Sequence, residues 1–521
     1  MCKKAIVLIL LTALLLDGCA GVMQNPVSSQ DSAAFFSMEN EAVITYEVPT
    51  AYPHIITDQL GYDVNTKKQV FMFGKELPDS FRLIDEATGK AVYDGPVENR
   101  GYFKECGTDV GIADFSEYTT KGRYYVEADY LGRSYSFEIC EDPYNDIFRE
   151  ACRAYYYNRC GMTLTENFAG INAHNACHTQ NAVLRQDVTV QKDVSGGWHK
   201  DSTGSKDVIS ASLTLGCLLL SYELFPGAFT DDNGIPESGN GIPDILDEAR
   251  YEVEWLLKMQ DEATGAVYSG MTVSQSENNT SAIIYAESPD IESARAFAFA
   301  TAKFGYLFQT CDRDFATICL KAADRAFKYS VLNEDENDKD SDFKLAGACE
   351  IYRASGSAQC QSYINVFFQS QPDLSDMSDI KIMGLITYLN TKMAVNKDYC
   401  QNAISAIMKE AEKISQDSRN YAFLVPEPEN PSDNTRLFHD MLVMTTVDHI
   451  ITNNEYDTVI ENYLHYFLGR NGMSVSYIDN VGQYSYKQIH ESLGIMKQFE
   501  SNAKFIFMLG KIISKDGFVE E

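Results

Sequence analysis

Four residues have the types that hold a soft divalent cation. Cys160, Cys177, His178 and His199 offer two thiolates and two imidazoles, the donor set of a tetrahedral zinc site. Their separations of 17, 1 and 21 residues match no zinc-finger repeat. The residues alone therefore leave three readings open: a zinc site, a Cys160–Cys177 disulfide, or buried side chains without a ligand. A zinc held by all four has no open position for activating water, so it braces the chain rather than hydrolysing anything.

A second signal stands at the start of the chain. Lys3 and Lys4 precede an apolar run from Ala5 to Leu16, broken only by Thr12 and followed by Asp17-Gly18-Cys19, the pattern of an export signal. About twelve apolar residues are too few to span a bilayer, which takes about 20. The pattern resembles a bacterial lipoprotein signal, and the resemblance implies a lipid on Cys19 and a membrane-anchored, exported protein. An ordinary cleaved signal is the alternative. Residues 20–41, rich in Ser, Asn and Gln, are expected to be a spacer.

Composition narrows the function classes. With 43 basic and 75 acidic residues the net charge is −32, which argues against nucleic acid or an anionic lipid surface as partner. Hydrophobic residues make up 45% of the chain, with 31 Tyr and 28 Phe, enough to bury a large core. Thirteen cysteines, eleven of them after Cys19, leave at least one outside any intramolecular pairing. Cys217 and Cys319 lie in helical patterns and are expected to be small buried hydrophobes. Phosphate-loop, dinucleotide and serine-hydrolase motifs are absent, so no organic cofactor is expected. The acidic composition admits calcium, although no EF-hand spacing occurs.

The elements that must position these residues fall into two regions. From 42 to 142 the hydrophobic period is two: Tyr124, Val126 and Ala128 alternate with polar neighbours, and Tyr135, Phe137 and Ile139 repeat the pattern. Glycines at hairpin-like intervals complete a β-sandwich signature. From 143 to 516 the period is 3.6, with about twelve helical segments beginning near residues 148–160, 206–222 and 243–261 and ending with 499–514. In the Pro243–Gln260 segment, Leu246, Ala249, Val253, Leu256 and Leu257 form one stripe, and Asp244, Asp247 and Glu248 suit the helix N-terminus. Asn333–Asp342 reads as a solvated loop, and 517–521 as a tail.

Several motifs, in order, carry a family resemblance. Thr57-Asp58-Gln59-Leu60-Gly61-Tyr62 and Gly122-Arg123-Tyr124-Tyr125-Val126 resemble the immunoglobulin-like domain that precedes many glycoside hydrolase family 9 enzymes. Tyr156 to Gly161, Asp193 to His199, Asn240 to Ala249 and Leu468 to Asn471 resemble that family's catalytic domain. The resemblance implies an N-terminal immunoglobulin-like β-sandwich followed by an all-α (α/α)6 barrel. It also implies β-1,4-glucan as the substrate and inverting hydrolysis as the ancestral activity, and it raises the zinc reading of the Cys/His set beside the catalytic turn.

The catalytic positions depart from the pattern. Inverting hydrolysis needs one carboxylate to activate water and one carboxylic acid to protonate the leaving oxygen. Where the family has two Asp in its turn, an ungapped match places Lys200 and Thr203, and the family's acid position holds Met496. The carboxylates left as candidates are Asp201, reached by a one-residue shift, with Glu491 and Glu500 for the acid. Trp198, Arg470, Tyr477 and His490 follow the family's substrate-side pattern, whereas Trp255 is expected in the core. Two functions remain: a weakened glucan hydrolase, and a polysaccharide-binding protein on the same fold.

Overall fold

The computed structural model describes residues 54–514, apart from 201–202, 275–281, 336–340, 429, 431–432, 452 and 490–493. The chain divides into two compact units. One contains the residues up to Pro143 together with Ser418–Asn434 and Glu461–Leu493; the other contains Tyr144–Asp417, Thr435–Ile460 and Gly494–Glu521.

The first unit is built on strands β1 Ile55–Ile56, β2 Gly61–Asp63, β3 Gln69–Gly74, β4 Ser80–Asp85, β5 Lys90–Phe103, β6 Thr108–Asp114, β7 Gly122–Ala128, β8 Gly132–Arg133 and β9 Phe137–Cys140. The pairing order is β1-β3-β6-β5-β4-β7-β9-β2, with β8 on β7. Long β5 serves both faces: Lys90–Pro96 pairs with β4 and Val97–Phe103 with β6. The buried residues Tyr62, Val70, Met72, Phe81, Leu83, Val126 and Ile139 form the core between them.

Period two predicts the burial of Tyr124, Val126 and Ala128 correctly. It fails at Tyr135, which is half-buried between buried Ser134 and Ser136. Ser134 Oγ accepts the Val126 N–H, and Ser136 donates to Glu86, so hydroxyls satisfied by hydrogen bonds take the inward positions there. Two later segments complete this unit. Gln59 bonds to Ser474, Gln483 and Tyr484, and Phe423 packs on Phe71 and Phe73.

The second unit is helical. The helices of nine or more residues are α1 Asn145–Arg153, α2 Val208–Leu224, α3 Asp244–Met259, α4 Ile291–Leu307, α5 Arg313–Asn333, α6 Asp342–Ser355, α7 Ala358–Gln369, α8 Asp379–Leu389, α9 Lys397–Ser418, α10 Thr435–Ile450, α11 Asn454–Phe467 and α12 Phe499–Ile513. The even-numbered helices touch in sequence, and α12 returns to α2, which closes a ring of six. α3 packs on α2 and α4, and α5 on α4 and α6. This is the (α/α)6 barrel. Because an intervening helix brings the chain back each time, the inner N-termini gather at one end. Asp207, Asp290, Ser341 and Ser378 cap α2, α4, α6 and α8 there, each supplying an acceptor to otherwise unbonded N–H groups.

Two expectations along this region change. The helix expected over 148–160 ends at Arg153, because the Asn158 side chain bonds back to the Ala154 carbonyl and the chain then turns extended at Arg159. The loop expected over Asn333–Asp342 is shorter: Asn333 closes α5, Asp342 opens α6, and Glu334 pairs with Arg295 and Lys344. A five-stranded sheet was not anticipated. Its strands are β10 Ala182–Leu184, β11 Gln191–Lys192, β12 Lys206–Asp207, β13 Gly270–Ser274 and β14 Ile283–Ala286, ordered β11-β10-β14-β13-β12.

Candidate functional site

The Gly196–His199 turn is fixed from both sides. Residues 158–160 run antiparallel to 197–199: Cys160 N–H donates to the Gly197 carbonyl at 2.7 Å and His199 N–H to the Asn158 carbonyl at 2.9 Å. On the other side is α3. Trp198 N–H donates to Glu252 at 2.6 Å and its indole N–H to Glu248 at 3.3 Å, while Arg159 joins Glu248 to Glu237. Lys206 donates to the carbonyls of Val194 and Gly196. Gly197 adopts φ +69°, and a Cβ there would lie 2.8 Å from Trp255 Cγ, so only glycine fits.

These buried charges shift one another. Burial raises Glu252 to about 8 despite the Lys206 charge and the Trp198 N–H, and burial lowers Lys206. Glu248 rises for the same reason, opposed by Arg159. The α3 carboxylates do more than favour the helix N-terminus. Asp244 accepts from Asn233 N–H and Ser238 through one oxygen; its other oxygen is buried without a hydrogen-bond donor. Burial and the neighbouring Asp231 carboxylate contribute to raising it.

Cys160, Cys177, His178 and His199 come together, with one donor atom from each within 4.8 Å of the others. Four of the six donor separations are 4.0 Å for Cys160–Cys177, 3.5 Å for Cys160–His178, 3.3 Å for Cys177–His199 and 3.3 Å for His178–His199. A tetrahedral ion with bonds of about 2.3 Å to sulfur and about 2.05 Å to nitrogen would set these at about 3.8, 3.6 and 3.3 Å. The donors fit a metal. A disulfide, at about 2.04 Å, is not formed, and both cysteines are free. Gly204 is close behind His178, where a Cβ would come within 2.2 Å of the ring.

Beside this turn lies a cavity of about 310 Å³ at the N-termini of α2, α10 and α12. Its wall includes Trp198, Lys200, Asp207, Glu252, Phe499 and Glu500. Lys200, two residues after Trp198, forms an ion pair with Asp207. The other Asp207 oxygen accepts the Ser210 N–H as the cap of α2. Trp198 is 3% exposed and packs on Tyr155 and Phe499, so it offers the cavity little more than an edge. Glu500 is half-buried in the first turn of α12.

The remaining sequence candidates separate. Arg470 and Tyr477 are each 1% exposed; Arg470 donates to Asn462 and lies over Phe71, and Tyr477 stacks on Tyr466. Both side chains are enclosed within the first unit. Asp201, His490, Glu491 and Cys19 lie outside the described residues. Asp207 is the carboxylate that the sequence offers for the second Asp position from a following turn, whereas Glu252, in the middle of α3, and Lys206 carry no distinctive spacing and were not singled out. Trp255 is in the core, as expected.

Residues 144–505 match the model of glycosyl hydrolase family 9, and residues 50–133 match that of the cellulase N-terminal ig-like domain. The chain belongs to glycosyl hydrolase family 9. It is 26% identical to a cellodextrinase of Butyrivibrio fibrisolvens over 480 residues, 84% of this chain and 86% of that protein. A metagenome-derived family 9 endoglucanase superposes with TM-score 0.79 at 22% identity, covering 88% of this chain and 98% of that one. A Zn-binding triple mutant of another family 9 endoglucanase superposes with TM-score 0.75 at 22% identity, covering 88% and 100%. Both structures share the barrel fold.

Proposed function

We propose that this family 9 protein is an exported lipoprotein, anchored through Cys19, that engages β-1,4-glucan chains in the cleft while hydrolysis is weak or lost. The observation that carries the reading is the Lys200–Asp207 ion pair. An ammonium replaces the base, and the adjacent carboxylate spends both oxygens on that ammonium and on a helix cap. With Met496 at the acid position, neither proton transfer has its usual group, and each is worth about 10²–10⁴-fold in rate. The similarity to a cellodextrinase supports cello-oligosaccharides as the ligand class.

The metal in the Cys/His cluster is zinc in this reading, supported by the S₂N₂ donor set and its near-tetrahedral spacing.

A second reading keeps hydrolysis, because Glu500 lines the cavity beside Asp207. Purified protein incubated with cellohexaose and mixed-linkage glucan separates the two. Retention of cellohexaose without product, at a sensitivity about 10⁴-fold below an active family member, is the expected result. Product formation abolished by Glu500→Gln, Asp201→Asn or Glu491→Gln would overturn the binding reading and identify the working carboxylate.

A further inference from the structure

The Cys160–Cys177 pair has a second chemistry open to it. Its sulfurs are 4.0 Å apart, so closing to a bond of about 2.04 Å takes a movement of about 2 Å. The two partners differ in freedom. Cys160 is fully buried, with its N–H bonded to the Gly197 carbonyl and its carbonyl to the Tyr251 hydroxyl. Cys177 is partly exposed and precedes His178, which sits at φ +46°, a left-handed conformation that a non-glycine residue keeps only where its surroundings impose it. Cys152, Cys217, Cys319, Cys349 and Cys360 are buried and closed to a soluble oxidant. Cys177 is therefore an accessible sulfur, it has a second sulfur behind it, and its segment gains backbone freedom when ligation ends.

We infer that Cys160 and Cys177 form a redox switch, in which a small-molecule disulfide converts the pair to an intramolecular disulfide, expels the metal and releases the Trp198 turn. This rests on the zinc reading above. Metal-bound sulfurs are thiolates, the form that attacks a disulfide. The Cys177 thiolate attacks one sulfur of the oxidant RSSR, and one RS⁻ leaves. The Cys160 thiolate then attacks the Cys177 sulfur of the mixed disulfide, and the second RS⁻ leaves. Two electrons pass from the pair to RSSR. The ion, left with two imidazoles, departs into water. His199 then loses its anchor one residue from Trp198, in the wall of the cavity. The readout is built in: the chain's two tryptophans are Trp198, in the turn, and Trp255, against Gly197.

The test uses the zinc-loaded protein and oxidised glutathione, with released zinc read by a chromogenic chelator alongside tryptophan fluorescence, a thiol count and peptide mapping. The expected result is one zinc released per chain, loss of the Cys160 and Cys177 thiols to a Cys160–Cys177 cross-link, and a fluorescence change, all reversed by dithiothreitol with added zinc; adducts at the partly exposed Cys106, Cys140, Cys311 and Cys400 are counted separately by the map. Zinc and both thiols retained in excess oxidant overturn the switch, and so does release with a stable glutathione adduct on Cys160 or Cys177 or a cross-link from either to another cysteine. Metal analysis before oxidation separates the two ideas: a protein that takes up no zinc sinks the metal reading itself, whereas zinc held through oxidation sinks only the switch. Cys400→Ser, outside the cluster, should respond like the parent. Cys177→Ser should not form the cross-link, and a parent-like fluorescence response in it overturns the inference. Where that variant does not fold, the cross-link map of the parent decides.

Discussion

Gly197 and Glu248 bear different kinds of load in the same turn. Gly197→Ala forces a side chain into φ +69° and against Trp255, which should destabilise the protein by about 2–4 kcal/mol, read as a lower midpoint in urea. Glu248→Gln acts through charge. Arg159 is 1% exposed and pairs with Glu248 and Glu237, so removing the fully buried partner should cost about 3–5 kcal/mol. A change under about 1 kcal/mol would mean that Glu237 alone satisfies the guanidinium. The turn was legible in the sequence because Asp193 to His199 resembles the family's motif in order and spacing. Of its supporting carboxylates, Glu248 was legible only as a helix N-terminal acid and Glu252, in mid-helix, not at all, since a sequence does not say that both reach Trp198. The enclosure of Arg470 was not legible either: its Leu468–Asn471 motif does not say that the side chain is buried.

At the scale of elements, helix ends explain most of the charge placement. Asp379 opens α8, His439 lies one turn into α10 and Lys504 in α12; Asp379 contacts both His439 and Lys504. Burial lowers His439, but the hydrogen bond and charge of Asp379 outweigh it and the net shift is upward. Burial likewise opposes ionisation of Asp379, and its His439 and Lys504 partners win, holding it below the usual carboxylate value. The signs define a window. Stability from the raised histidine is complete below its unfolded value of about 6.5 and is lost as pH rises through the folded one. Stability from the depressed carboxylate is present above about 3.9 and lost as pH falls through its folded value. Replacing His439 by Gln should therefore lower Tm more at pH 5.5 than at pH 8.5; an equal loss at both would show that the pair is uncoupled from folding. The Cys160, Cys177, His178 and His199 cluster, whose donor set fits zinc, joins three loop segments. Zinc removal by a strong chelator should lower Tm by several degrees, restored by zinc and not by magnesium, because thiolates select the softer ion. The long helices were legible because a 3.6 period repeats several times within each. The two- and three-residue strands β10 to β12 offer too few residues for any period to register, and the last of them is the Lys206–Asp207 pair that leads into α2.

For the whole molecule, the decisive feature is that chain order and packing order differ. Period and motif place a domain at 42–142, and the strands do lie there, but the compact unit also needs Ser418–Asn434 and Glu461–Leu493. The interactions that join them are of the kind that fails when half is removed. Asp58 is fully buried and bonds to His465 at 2.7 Å; burial drives the Asp58 carboxyl well above its usual range even against backbone N–H groups and Arg470. Gln59 satisfies both ends of its amide on Ser474, Gln483 and Tyr484. Phe71 and Phe73 have Phe423 as a shared neighbour, and Arg100 donates to three carbonyls at 419, 421 and 422. A fragment of residues 42–142 keeps every strand yet leaves a buried acid, an amide and an aromatic face without partners, penalties of about 1–3 kcal/mol for each polar group. Against a total stability of about 5–15 kcal/mol, that loss is decisive. The isolated fragment is expected to show no cooperative thermal transition above room temperature, while the full chain melts cooperatively. A fragment that melts sharply within a few degrees of the full chain would mean that the sandwich is self-sufficient and that the two later segments only lean on it.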